Sequence, residues 1–214
     1  MSSGRRDRLH VVIAADTGHA VILLDARTGQ VKALADTARS RWLARPGRPA
    51  PVPVREAAAS WGTSESPAAL PEIAVPSATW AARAVAALII ALSVRSAGPR
   101  GRAFARMAWL GRIAAGSQRA AAPHEAGAAV HAVRWAARFT PARVACLEES
   151  AAAMVALALA GRRADWRHGI AADPVRLHAW IEADGQPVGE PASVSAYAPL
   201  IRVPLPGEQE APHV

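Results

Sequence analysis

The sequence predicts an α+β protein with strands at both ends and a helical middle, on three observations. Short aliphatic runs punctuated by Asp-Thr-Gly and Arg-Thr-Gly open the chain, and such punctuation marks strands joined by tight turns. From Ser77 to Gly161 alanine-rich apolar stretches recur at helical spacing. After Gly161 alternation, turn residues and prolines return, so a second set of strands follows.

In order, strands are expected at Val11 to Ala14, Ala20 to Asp25 and Gln30 to Leu34, with turns at Asp16-Thr17-Gly18 and Arg27-Thr28-Gly29. Asp36 or Thr37 suits a cap for the helix that contains "ARSRWLA". Seven prolines from Pro46 to Pro76 make the next stretch loop and linker, with room for one short helix near Val54 to Trp61. A boundary near Pro76 divides residues 1–76 from residues 77–214. Ser77 or Thr79 can cap "WAARAVAALIIALSVRS", which must stop before Gly98-Pro99. Two more helices are expected in "RAFARMAWLGRIAAG" and "HEAGAAVHAVRWAARF", and another starts near Cys146 and stops at Gly161. The strands of the C-terminal part lie in "ADWRHGIAADPVRLHAWIEADGQPVGEPASVSAYAPLIRVPLP".

Composition narrows the classes. A chain of 214 residues, 51% hydrophobic and 20% charged, has the means to fold around one sizeable core or two smaller ones. Its single cysteine cannot close an internal disulfide, and its N-terminus lacks the apolar run of a signal peptide, so a cytoplasmic location is expected. The longest apolar stretch, Ala84 to Val94, falls short of the about 20 residues that span a bilayer, and a core helix rather than a transmembrane segment is expected there. The net charge is +8, with ten arginines and one acid between Ser77 and Ala145. No reading module or set of stacking aromatics accompanies them, so no nucleic-acid partner is expected and a solvated arginine face is the simpler account. Trp166, His168 and Asp173 do not make a metal-ligand spacing; a structural His168, no metal and no cofactor are expected.

The chemistry centres on Cys146. A thiol with a pKa of about 8.5 is largely protonated at neutral pH, so a nucleophilic cysteine needs a helix N-terminus, a histidine, or both beside it. Cys146 stands in the first turn of its expected helix, though a lone cysteine there is more often packing. Glu148 and Glu149 in the same turn would oppose a thiolate if they faced it. In "HAWIEADG", His178, Trp180, Glu182 and Asp184 share one face of a strand that leads to an Asp184-Gly185 hairpin turn. A third group must orient the imidazole, and since the chain has no asparagine a carboxylate has to serve: Glu190, with Glu182 and Asp184 as rivals. A two-residue hairpin loop would turn Glu190 to the face opposite His178, so an odd loop or a bulge at Gly185 is expected. Trp180 is expected to shield the site or line the substrate cleft.

"CLEESAAAMVALALAG", followed about 30 residues later by "DPVRLHAWIEADGQPVGEP", resembles the transglutaminase-like cysteine peptidases of lasso peptide biosynthesis, the McjB-type maturation proteins. The likeness runs from Arg134 to Pro204, about a third of the chain. It implies a papain/transglutaminase-like α+β peptidase domain that removes a leader peptide with a Cys-His-Asp triad. Here Cys146 takes the nucleophile's place, His178 the base's, and Glu190 stands where the family has aspartate. An acyl transferase on the same fold, or a non-catalytic leader-binding scaffold, are the alternatives. More weakly, "VILLDARTGQVKAL" resembles the second and third strands of PqqD-like peptide-recognition elements, winged-helix-like modules that take a leader peptide as an added strand. That resemblance implies Gln30, Val31, Lys32, Ala33 and Leu34 as the docking edge. The implied partners are the precursor peptide and an asparagine-synthetase-like, ATP-dependent lasso cyclase.

Overall fold

The computed structural model describes residues 12–54, 74–116, 119–172 and 175–203, and its architecture is α+β. Strands β1 (Val12–Asp16), β2 (Ala20–Asp25) and β3 (Val31–Ala35) form the expected antiparallel meander. Their turns are held by the residues that marked them: Gly18 N–H donates to Asp16 Oδ1 at 3.0 Å, and Arg27 N–H to Asp25 Oδ1 at 2.8 Å. Helix α1 (Asp36–Leu43) follows directly. Neither Asp36 nor Thr37 caps it with a side chain; Asp36 takes a left-handed φ of 48° at the strand-to-helix corner. Arg39 instead ties α1 to the meander through a two-pronged pair with Asp16, at 3.1 and 2.9 Å. A short strand β4 (Val52–Pro53) joins β1 in parallel, so the sheet order is β3-β2-β1-β4 and the meander gains a fourth member. The short helix expected near Val54 to Trp61 lies, beyond Val54, outside the described residues, as does Asp173.

Helix α2 (Ala78–Ser96) starts on Ser77, whose Oγ accepts from Trp80 N–H at 3.5 Å. Over its 19 residues it is long and apolar enough to cross a membrane by length and composition, a span the shorter run from Ala84 to Val94 understates. In this fold one face, Ala84, Ala87, Leu88 and Ala91, is buried against its neighbours, while Val85, Ile89 and Ile90 are exposed. A 3-10 turn (Arg100–Arg102) leads into α3 (Ala103–Ala114); a two-residue strand, β5 (Arg119–Ala120), precedes α4 (Pro123–Ala137).

Helix α5 (Cys146–Ala158) is the centre of the molecule. Residues Ala151 to Leu157 are all buried, as expected of a helix that is apolar on every side. The run of alanines lets α2, α3, α4 and strand β8 approach it closely. Strand β6 (Arg162–Arg163) pairs with β5. Strands β7 (Asp165–Ala171), β8 (Arg176–Ala183), β9 (Gln186–Pro187) and β10 (Ala198–Val203) then form an antiparallel sheet in the order β10-β7-β8-β9. A 3-10 turn (Ala192–Ala196) precedes β10. Trp166 anchors this sheet to α5: its ring is buried and its indole N–H donates to Ser150 Oγ at 3.0 Å. Removing about 200 Å² of aromatic surface from water contributes roughly 5 kcal/mol before entropy is counted.

Candidate active site

Cys146 is the first residue of α5, after Ala145, whose methyl side chain cannot cap the helix. The amide donors of a helix's first turn lack intrahelical acceptors. Two of them find carboxylate or sulfur here: Ala145 N–H donates to Glu148 Oε2 at 3.0 Å, and Leu147 N–H reaches the Cys146 thiol. Glu148 is buried and meets Arg95 Nε at 3.0 Å, and Glu149 meets Arg134 Nε at 2.6 Å. The two acids that could have opposed a thiolate are thus each engaged by an arginine.

The thiol lies against the edge of β8. Strand β9 covers that edge only as far as Val188, whose N–H donates to Ile181 O at 3.0 Å. Past this point the edge is left to α5, and the N–H of Ala179 serves the thiol. Burial opposes ionisation of Cys146, but the hydrogen bond with His178 and the amides of Ala179 and Leu147 outweigh it, and its pKa falls below the ordinary thiol value. His178 responds in the opposite sense. The Cys146 thiol and the Glu190 carboxylate raise its pKa to about 9 against the cost of burial. The two shifts run in the sense that favours a thiolate beside an imidazolium.

Glu190 accepts from His178 Nε2 at 2.8 Å through Oε2, and its side chain is only 7% exposed. The rivals are elsewhere: Glu182 binds Arg167 at 2.7 Å and the Trp180 indole at 3.0 Å, while Asp184 sits exposed in the turn. The hairpin corrects the expected odd loop or bulge at Gly185. Ala183 pairs directly with Gln186, so the loop has two residues, and both Asp184 (φ 51°) and Gly185 (φ 71°) are left-handed, a type I′ turn. Strict alternation would carry Glu190 to the wrong face. Gly189 breaks it: its φ of 69° swings the chain out of the strand immediately after Val188. A side chain at Gly189 would also stand 3.0 Å from Val130 Cγ1, so the turn can hug α4 only as glycine.

Trp180 stacks on His178 with ring centroids 5.9 Å apart and 14° between planes, and Tyr197 tilts over the same imidazole at 5.4 Å. At 3% exposure Trp180 forms the wall behind the histidine rather than an open cleft surface. Two residues that sequence reasoning passed over are prominent: Tyr197 and Arg134. Arg134 was one of ten arginines read as a solvated face, and its partners Glu149 and Glu190 are 15 and 56 residues away, so no local spacing singles it out. His168 is buried between Phe104 and Trp166, consistent with a structural role. Among the described residues no group of three or more His, Cys, Asp and Glu is placed to hold a metal ion.

Residues 86–202, more than half of the chain, match the family described as the transglutaminase-like superfamily. The chain belongs to that superfamily. No curated protein and no solved structure matches it. Within a transglutaminase-like domain, a cysteine at a helix start facing a histidine on a strand of the adjoining sheet fits cysteine-peptidase or acyltransferase chemistry, and the matched span contains all three members of the Cys146, His178 and Glu190 cluster.

The N-terminal sheet presents a second feature. Strand β3 pairs with β2 on one side only, leaving its other edge without a strand partner among the described residues. Val31, Lys32 and Ala33 are exposed and Leu34 is half-buried. Gln30 lies just outside β3, in the turn, where its carbonyl accepts from Asp25 N–H at 2.9 Å. Across the face of this sheet a groove of about 840 Å³ runs along α1, lined by Val12, Leu23 and Leu34 from three strands and by Trp42, with Lys32, Arg41 and Arg48 around it.

Proposed function

We propose that this protein is a cysteine peptidase that cleaves the leader from a ribosomally made lasso peptide precursor and supplies the core peptide to an asparagine-synthetase-like, ATP-dependent cyclase. The observation that carries the reading is the chain of contacts from Cys146 through His178 to Glu190, at the half-buried helix N-terminus of a transglutaminase-like domain. In the mechanism, the Cys146 thiolate attacks the scissile carbonyl and the oxyanion is held by first-turn amides of α5, including that of Cys146. His178 gives its proton to the departing amine, which frees the core peptide. Water, deprotonated by His178, then opens the thioester to the leader's carboxylate and restores the thiol. Glu190 orients the imidazole throughout.

The open β3 edge, from Gln30 to Leu34, and the basic, apolar-lined groove across the sheet face support docking of the leader as an added strand, in the manner of a PqqD-like element. The deciding experiment is mass spectrometry of a candidate precursor incubated with the purified protein. Hydrolysis gives two fragments whose summed mass exceeds the precursor by one water; acyl transfer joins a fragment to an added amine instead. Cys146→Ala should abolish either product while retaining leader binding, and undiminished cleavage by that variant would rule the mechanism out.

A further inference from the structure

Arg134 touches three acceptors at once. Its Nε meets Glu149 Oε1 at 2.6 Å, one terminal nitrogen meets Glu190 Oε1 at 3.0 Å, and the other donates to the carbonyl of Gly189. Because Oε1 of Glu190 is taken by Arg134, Oε2 is the oxygen presented to His178. A glutamate carboxylate turns about one more bond than an aspartate's, so without a second constraint it would spread over several rotamers. A planar guanidinium removes that freedom in a way a point charge cannot.

We propose that Arg134 is a positioning residue that acts through Glu190: by clamping Oε1 and the carbonyl of Gly189 it compensates the extra methylene and aims Oε2 at His178. The proposal rests on the reading of Cys146 as a nucleophile activated by His178. Glu149 completes the device, since it fastens the same guanidinium to the helical turn that carries Cys146. One side chain on α4 thereby sets the spacing between α5 and the segment that bears Glu190.

The test needs no substrate, because Cys146 is the only cysteine in the chain and its alkylation by iodoacetamide reports the thiolate directly. Wild-type protein should alkylate with a pH midpoint below that of a free thiol. Arg134→Gln should raise the midpoint by about one unit, a tenfold loss of thiolate on the acid side, and Arg134→Lys should recover only part of it. Glu190→Gln should raise it similarly, and adding Arg134→Gln to Glu190→Gln should change nothing further, because the arginine acts through that carboxylate. An unmoved midpoint in folded Arg134→Gln or Arg134→Lys, or additive shifts in the double variant, would overturn the assignment. A wild-type midpoint already at the free-thiol value would instead remove the nucleophile reading beneath it, so the two failures are distinguishable.

Discussion

His178 keeps its proton to about pH 9 because the Cys146 thiol and the Glu190 carboxylate both favour the imidazolium. Alkylation and turnover should therefore hold across neutral pH, falling on the acid side as the thiolate takes up a proton and, for turnover, on the basic side as His178 loses its own. The same shift has a stability consequence. A pKa raised from 6.5 to about 9 contributes fully below about pH 6.5 and is lost as pH rises through about 9, so melting curves of wild type and His178→Gln should converge on the alkaline side. His168 behaves in reverse. Burial, with the nearby charge of His178, lowers its pKa to about 4, and its buried Nδ1 finds no hydrogen-bond partner among the described residues. Its contribution is present above about pH 6.5 and disappears as pH falls through about 4, a linked change of about 3 kcal/mol. Thermal denaturation of His168→Leu between those pH values should be nearly flat where the wild type declines; equal slopes would show that acid instability originates elsewhere.

At the scale of elements, a single glycine decides whether the hairpin delivers its carboxylate. The type I′ loop is regular, so strand β9 alone would put residue 190 on the face away from His178, and the left-handed turn at Gly189 reverses that outcome. Alanine at this position pays about 1–2 kcal/mol for the backbone conformation and also presses on Val130. Gly189→Ala is therefore expected to raise the alkylation midpoint of Cys146 and, under the proposed function, to slow leader cleavage at least tenfold, with a modest fall in melting temperature. A wild-type alkylation profile in that variant would show that the turn does not set the site. The elements themselves were largely legible: the meander, the five α-helices and the later strands lie close to where turn residues and periodicity place them. The hairpin loop was misread because a facing argument that assumes unbroken alternation must put its irregularity inside the hairpin. The actual break comes two residues after β9 ends, where only the approach of α4 demands it.

Across the whole molecule, the N-terminal sheet is docked on the C-terminal one. Ala15, Ile22 and Val54 pack with Ile170 and Ala172, and the turn at Gly29 seats against Phe104 of α3. Ile170→Ala empties the middle of this contact and should cost about 2–5 kcal/mol, read from denaturant unfolding. The docking also fixes the groove on the N-terminal sheet relative to the thiol. Under the proposed function, Lys32→Glu combined with Arg41→Glu should weaken binding of a labelled leader peptide at least tenfold in fluorescence anisotropy while leaving the alkylation profile of Cys146 unchanged. If affinity is unaffected, the leader docks elsewhere.

By itself the sequence determined the helical middle between two sets of strands, the lone thiol at a helix start, and a histidine on a half-buried strand. Each of these is local: a period, a cap, a turn residue or a short motif carries it. The tertiary structure decided which of three acids meets His178, how Glu190 crosses to the histidine's face, and that Arg95 and Arg134 engage the two acids beside the thiol. Those outcomes depend on groups brought together from α2, α4, α5 and the segment after β9. Sequence spacing does not encode such meetings, because they are set by how closely an alanine-rich helix lets its neighbours approach.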